Sequence, residues 1–187
     1  MTDKIRLRDI AGYCAENAIW KMVTNLCGMV EEENLFMLAP DTVVVAGDSF
    51  IAETHGVTNT EFQAPEYEEG QSQTIAQQIW TIGALIYYAS SGHILFGGYG
   101  GLYQRQHPKV QLPALQKAHR NLTPLMQKCL AFEPSERINL EELGHMAQNG
   151  LQQCLQRKRP QYTAGKKQED KPQVLSSETW PEEMIEL

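Results

Sequence analysis

The chain has no apolar run of the roughly 18 residues that a membrane span needs, and its first six residues lack the apolar core of a signal peptide. Both absences favour a cytoplasmic protein. Cysteine is sparse. Cys14, Cys27, Cys129 and Cys154 lie far apart with no CxxC pair, so neither a disulfide framework nor a zinc site is expected, and each reads as a reduced core residue. The histidines His55, His93, His107, His119 and His145 include no HxxxH pair, which leaves no metalloenzyme signature and makes them surface or capping residues. Excess positive charge is also missing. The net charge of −7 argues against a nucleic-acid surface and for a basic partner or plain solubility. No internal repeat is visible.

What is present is enough apolar residue, 42% of 187, to bury one ordinary core. The stretch 78–89 is uncharged. Ile79, Ile82, Ile86 and Ala89 share one helical face, and Trp80, Gly83 and Tyr87 another, so a helix over 75–89 should be buried all round, with Gly92 as its stop. Before it, residues 15–30 carry an amphipathic stripe that ends at Glu31, Glu32 and Glu33, and residues 4–13 hold a shorter amphipathic piece. Val43–Val45 and Phe50–Ala52, joined by a turn at 46–49, read as a small hairpin. Residues 53–74 read as an extended loop with a turn at Ala64-Pro65, and the glycines of 97–101 as a flexible linker. Two helical pieces follow over 112–130, the second opened by Thr123-Pro124. Asn139 caps a last helix, with Glu142 completing the box. The domain therefore spans 1–156, and 157–187 form a charged tail. Within that tail Trp180, Met184, Ile185 and Leu187 have the spacing of one face of an amphipathic docking helix among glutamates. The tail can serve a partner or pack on its own domain.

Three fragments stand in order: Ala64-Pro65-Glu66, then Trp80-x-x-Gly83 in the apolar helix, then Pro134-x-x-Arg137. With the preceding helix and hairpin, this order resembles the C-lobe of a protein kinase, over about residues 5–152. The expected fold is a mainly α, kinase C-lobe-like helical domain with one small β-hairpin and no N-lobe. The resemblance implies a buried ion pair between Glu66 and Arg137, with Trp80, Gly83 and Pro134 as structural positions. It also implies that the catalytic machinery is absent. The positions matching the family's catalytic His-Arg-Asp carry Leu35, Phe36 and Met37, and its metal-binding Asn matches Thr42. The Asp-Phe-Gly triplet falls near Thr54, and the acidic residue opening the central helix falls on Gln78. Asp48 and Glu53 flank these positions and read as solvent-facing.

A C-lobe without N-lobe or catalytic groups is similar to the kinase non-catalytic C-lobe domain, KIND. That likeness implies a non-catalytic scaffold that binds a protein or basic peptide, with no cofactor, metal, nucleic acid or membrane. Candidate contacts are Glu31, Glu32 and Glu33, and Glu61, Glu68 and Glu69. The competing reading is the C-lobe half of a split or regulatory kinase that takes its N-lobe from another chain.

Overall fold

The protein, seen in a computed structural model, is described here over residues 4–30, 35, 37–53 and 59–158. Among these residues it is mainly helical with a single two-stranded antiparallel hairpin, in agreement with the sequence reading. The helices are α1 (Leu7–Ile10), α2 (Glu16–Cys27), α3 (Ile75–Ser91), α4 (Gly100–Gln106), α5 (Thr123–Cys129) and α6 (Leu140–Lys158). Among the described residues no helix is long and apolar enough to cross a membrane.

Helix α3 is the centre. Thr74 and Gln77 close a reciprocal capping box at its start: the Gln77 N–H donates to Thr74 Oγ1 at 3.2 Å and the Thr74 N–H to Gln77 Oε1 at 2.9 Å. Gly92, at φ 74°, ends it in the left-handed conformation that glycine adopts without strain. Residues 77–86 are buried without a break, so α3 has no solvent face over that span. Helix α5 packs along it. A Cβ on Gly83 would lie 2.7 Å from Cys129 Cβ and 2.9 Å from Leu130 Cγ, so the bare glycine sets the distance between α3 and α5. Trp80 is fully buried and donates its indole N–H to Gln104 Oε1 at 2.8 Å, while Gln104 Nε2 donates to the Leu130 carbonyl at 2.9 Å. One amide thus links α3, α4 and the end of α5.

The hairpin pairs β1 (Val43–Ala46) with β2 (Ser49–Ala52), Val44 opposite Ile51 and Val45 opposite Phe50. Arg6 bridges Val44 on the other edge, and the Val45 N–H donates to the Ile5 carbonyl at 2.9 Å. Only 7–10 of the amphipathic piece 4–13 are helical, because its start is drawn into the sheet. Helix α2 is also shorter than 15–30 and turns at Gly28. Over 112–130, residues 117–122 form a 3-10 turn and only α5 is α-helical.

The glycine stretch corrects the sequence reading most. Gly100 and Gly101 open α4 instead of forming a linker, and both are buried. A Cβ would lie 1.8 Å from the Glu61 carbonyl oxygen at Gly100 and 2.1 Å from that of Gln63 at Gly101. The glycines are there for close backbone approach, a use that composition does not distinguish from flexibility. His119 departs too: it is buried, and its Nε2 donates to the Cys14 carbonyl at 2.9 Å.

Glu16 gathers the other side of the molecule. Its carboxylate accepts from Trp20 Nε1 at 3.1 Å, Asn121 Nδ2 at 3.2 Å and Arg157 Nη2 at 3.2 Å. Partial burial works to raise its pKa. The hydrogen bonds from Trp20 and Asn121 and the Arg157 charge outweigh that, and the net shift is downward. A lowered folded pKa means that its contribution to stability is complete above the unfolded value, about 4.3, and is lost as pH falls through the folded one. Urea unfolding between about pH 6 and pH 3 should therefore show a steeper loss of stability for the wild type than for Glu16→Gln. Parallel curves would remove this role.

Candidate functional site

The segment 59–67 crosses one end of α3 and is held from several sides. A 3-10 turn, Thr60–Phe62, buries Phe62, so this part of 53–74 is not simply extended. Thr81 Oγ1 donates to the Phe62 carbonyl at 2.8 Å. Gln63 is buried and accepts from Gln73 Nε2 at 3.1 Å. Ala64 and Pro65 are buried beneath the N-terminus of α4. Arg105, on α4, donates Nε to the Pro65 carbonyl and Nη2 to the Tyr67 carbonyl, the latter at 2.8 Å.

Glu66 comes next, and the structure brings it to Arg137. The pairing is bidentate, Nη1 to Oε1 at 2.6 Å and Nη2 to Oε2 at 2.7 Å. A 3-10 turn at Pro134–Glu136 directs the Arg137 side chain inward, where it is 1% exposed. Its remaining N–H groups donate to the carbonyls of Ala131 (Nε, 2.9 Å), Ala76 (Nη1, 2.8 Å) and Phe132 (Nη2, 3.0 Å). All five guanidinium N–H groups are thus used. The carboxylate is not fully interior: the Glu66 side chain is 30% exposed. Arg137 is thus the buried partner of the pair and Glu66 the part-exposed one.

The segment from 37 to 42 lies between α1 and the hairpin. Leu38, Ala39 and Pro40 are buried. Thr42 Oγ1 accepts the Ala39 N–H at 2.9 Å and sits 3.0 Å from the Ala39 carbonyl, so the hydroxyl closes its own turn. Met37 Sδ accepts from Gln73 Nε2 at 3.3 Å. Leu35 is half-buried, and Gln78 is buried in α3. Asp41 carries the acidic group here and is paired with Arg8. Burial and the Asp41 carboxylate push the nearby Tyr88 phenol above its ordinary range. Asp48 is fully exposed and paired with Lys21. Glu53 differs from the solvent-facing expectation: its side chain is 23% exposed and paired with Lys4, with Arg6 at 3.8 Å, because the N-terminal strand residues lie against β1. Phe36, Thr54, His55, Glu31, Glu32, Glu33, Trp180, Met184, Ile185 and Leu187 lie outside the described residues.

Among the described residues no group of three or more His, Cys, Asp or Glu could hold a metal ion. Burial pushes the Cys14 thiol up to about 11 and the Cys27 thiol up to about 12, so neither is a ready nucleophile. What this region offers is a fixed backbone segment, 59–67, clamped between α3, α4 and Arg137. Arg105, Gly100, Gly101 and Thr81 were missed as parts of the clamp. Each acts by reaching a backbone carbonyl or by making room for one, and neither leaves a spacing motif.

No protein-family model matches the chain. Over 125 residues it is 27% identical to the serine/threonine-protein kinase OXI1 of Arabidopsis thaliana, a match that covers 65% of this chain and 30% of that kinase. The chain thus spans less than a third of that relative's length. The likeness is weak and partial, and supports a kinase-like relationship.

The clamp yields a test. Arg105→Ala should cost about 1 kcal/mol of stability and speed amide exchange over 62–67, since two charge-assisted bonds to carbonyls are lost from a mostly exposed side chain. Unchanged exchange there would show that the segment does not depend on Arg105.

Proposed function

We propose that this chain is a non-catalytic protein-interaction module built on a kinase C-lobe scaffold, of the KIND type. The observation that carries the reading is a contrast. The elements that fix a C-lobe's lower framework are fully engaged, with Arg137 using every donor to tie Glu66 to α3 and to the loop before α6. At the positions that the kinase likeness aligns with catalysis, the chain has half-buried Leu35 and Met37 and a Thr42 hydroxyl turned onto its own backbone. Kinase chemistry depends on positioned acidic metal ligands and a catalytic carboxylate. Leu35, Met37 and Thr42 supply neither. The net charge of −7 and the Glu31–Glu33 run favour a basic peptide as partner.

The competing reading is a C-lobe half that shares its phosphotransfer site with an N-lobe on another chain. The likeness to a serine/threonine kinase favours it, and Glu53 beside the hairpin is the carboxylate it would recruit.

Thermal unfolding with and without millimolar Mg-ATP separates the two, with a lysine-rich peptide as the second ligand. A ligand at a hundred times its Kd adds about 2.7 kcal/mol, worth roughly 5–10 °C for a domain of this size. The module reading predicts no shift with Mg-ATP. With the peptide it predicts a shift that disappears when Glu31, Glu32 and Glu33 are changed to lysine. A clear Mg-ATP shift would overturn it in favour of the split kinase.

A further inference from the structure

Outside the clamp, an open groove of about 510 Å³ runs between α6 and the start of α5. Its lining includes Trp20, Arg120, Pro124, Met146, Gly150 and Gln153. Gly150 makes it: a Cβ there would lie 2.6 Å from the Trp20 ring, so α6 rests its bare backbone on the indole and leaves a dip between Met146 and Gln153. The charges around it are uneven. Glu16 is taken by Arg157 and Asn121, and Glu142, one turn before Met146, is taken by Lys128 at 2.7 Å. Arg120 is exposed, and among the described residues its guanidinium has no ion pair. The groove sets the apolar Trp20, Pro124 and Met146 among the neutral amides Asn121, Asn149 and Gln153, and the one charged residue lining it is the cation Arg120.

We propose that residues 178–187 of this same chain occupy it, seating Trp180, Met184 and Ile185 on Trp20, Pro124 and Met146 with their glutamates toward Arg120. The sequence 178–187 carries four glutamates and no lysine or arginine, the charge that Arg120 attracts. The groove also lies beside the point where the segment is tethered. Gln153 is about 8 Å along the helix axis from Lys158. Residues 159–179 can reach up to ~70 Å, far more than is needed. A short tether raises the local concentration of the segment to the millimolar range, so a modest apolar contact suffices. The larger groove, about 700 Å³ and lined by Val30, Ile75, Leu140 and Gly144, is less suited to this acidic segment because Glu141 also lines it. Like charges would oppose each other there.

The inference does not rest on the kinase-like reading and stands or falls separately. Its test uses the full 187-residue chain with a photoreactive benzophenone side chain at Gln153, or at Asn149 if the first variant unfolds at a lower temperature than the wild type. Labelled and unlabelled chains are mixed, irradiated and mapped by mass spectrometry. The expected result is cross-linking within single chains to residues 178–187, reduced at least fivefold by Trp180→Ala and clearly reduced by Arg120→Glu. No cross-link to 178–187, cross-links mainly between labelled and unlabelled copies, or a yield unaffected by Trp180→Ala would each overturn it.

Discussion

The fold depends on one guanidinium. Arg137 is a charge that can leave water only if every donor finds an acceptor, since an unpaired buried cation costs several kcal/mol. Its partners come from three separate parts of the chain: Glu66 before α3, Ala76 in the first turn of α3, and Ala131 and Phe132 after α5. Satisfying one side chain therefore fixes where those three parts meet. A lysine, with one compact ammonium, could not span them.

The surrounding packing agrees with that junction. Gly83 lets α5 lie against α3, and the Trp80–Gln104–Leu130 relay joins α4 to both. Gly100 and Gly101 let α4 press on the backbone that carries Glu66, and Arg105 holds that backbone from its outer side. The segment 59–67 is thus a loop by conformation, held by contacts on several sides.

The legible features of the sequence were those carried by apolar runs. The uncharged stretch 78–89 indicates a buried helix and the valines of 43–45 a strand, while the pairing of Glu66 with Arg137 came only from the resemblance to a kinase C-lobe, since both residues have charged neighbours in sequence. Less legible were features whose signal is a distance. Gly97–Gly101 looked like a linker because a glycine needed for close approach is spelled like a glycine needed for freedom. His119 looked like a surface residue because its partner is a carbonyl 105 positions earlier. Glu53 looked solvent-facing because nothing local shows that residues 4–6 fold against β1. The degree of burial of Glu66 was also not readable, since it depends on how the segment packs on the rest of the fold.

The most direct measurement is a double-mutant cycle on Glu66→Gln and Arg137→Met, read by urea unfolding. A junction organised by this pair predicts that Arg137→Met alone costs about 3–5 kcal/mol. Glu66→Gln should cost less, because its side chain is partly exposed, and the double variant should fall well short of the sum, with coupling above about 1 kcal/mol. Additive losses, or an Arg137→Met variant as stable as the wild type, would contradict the account.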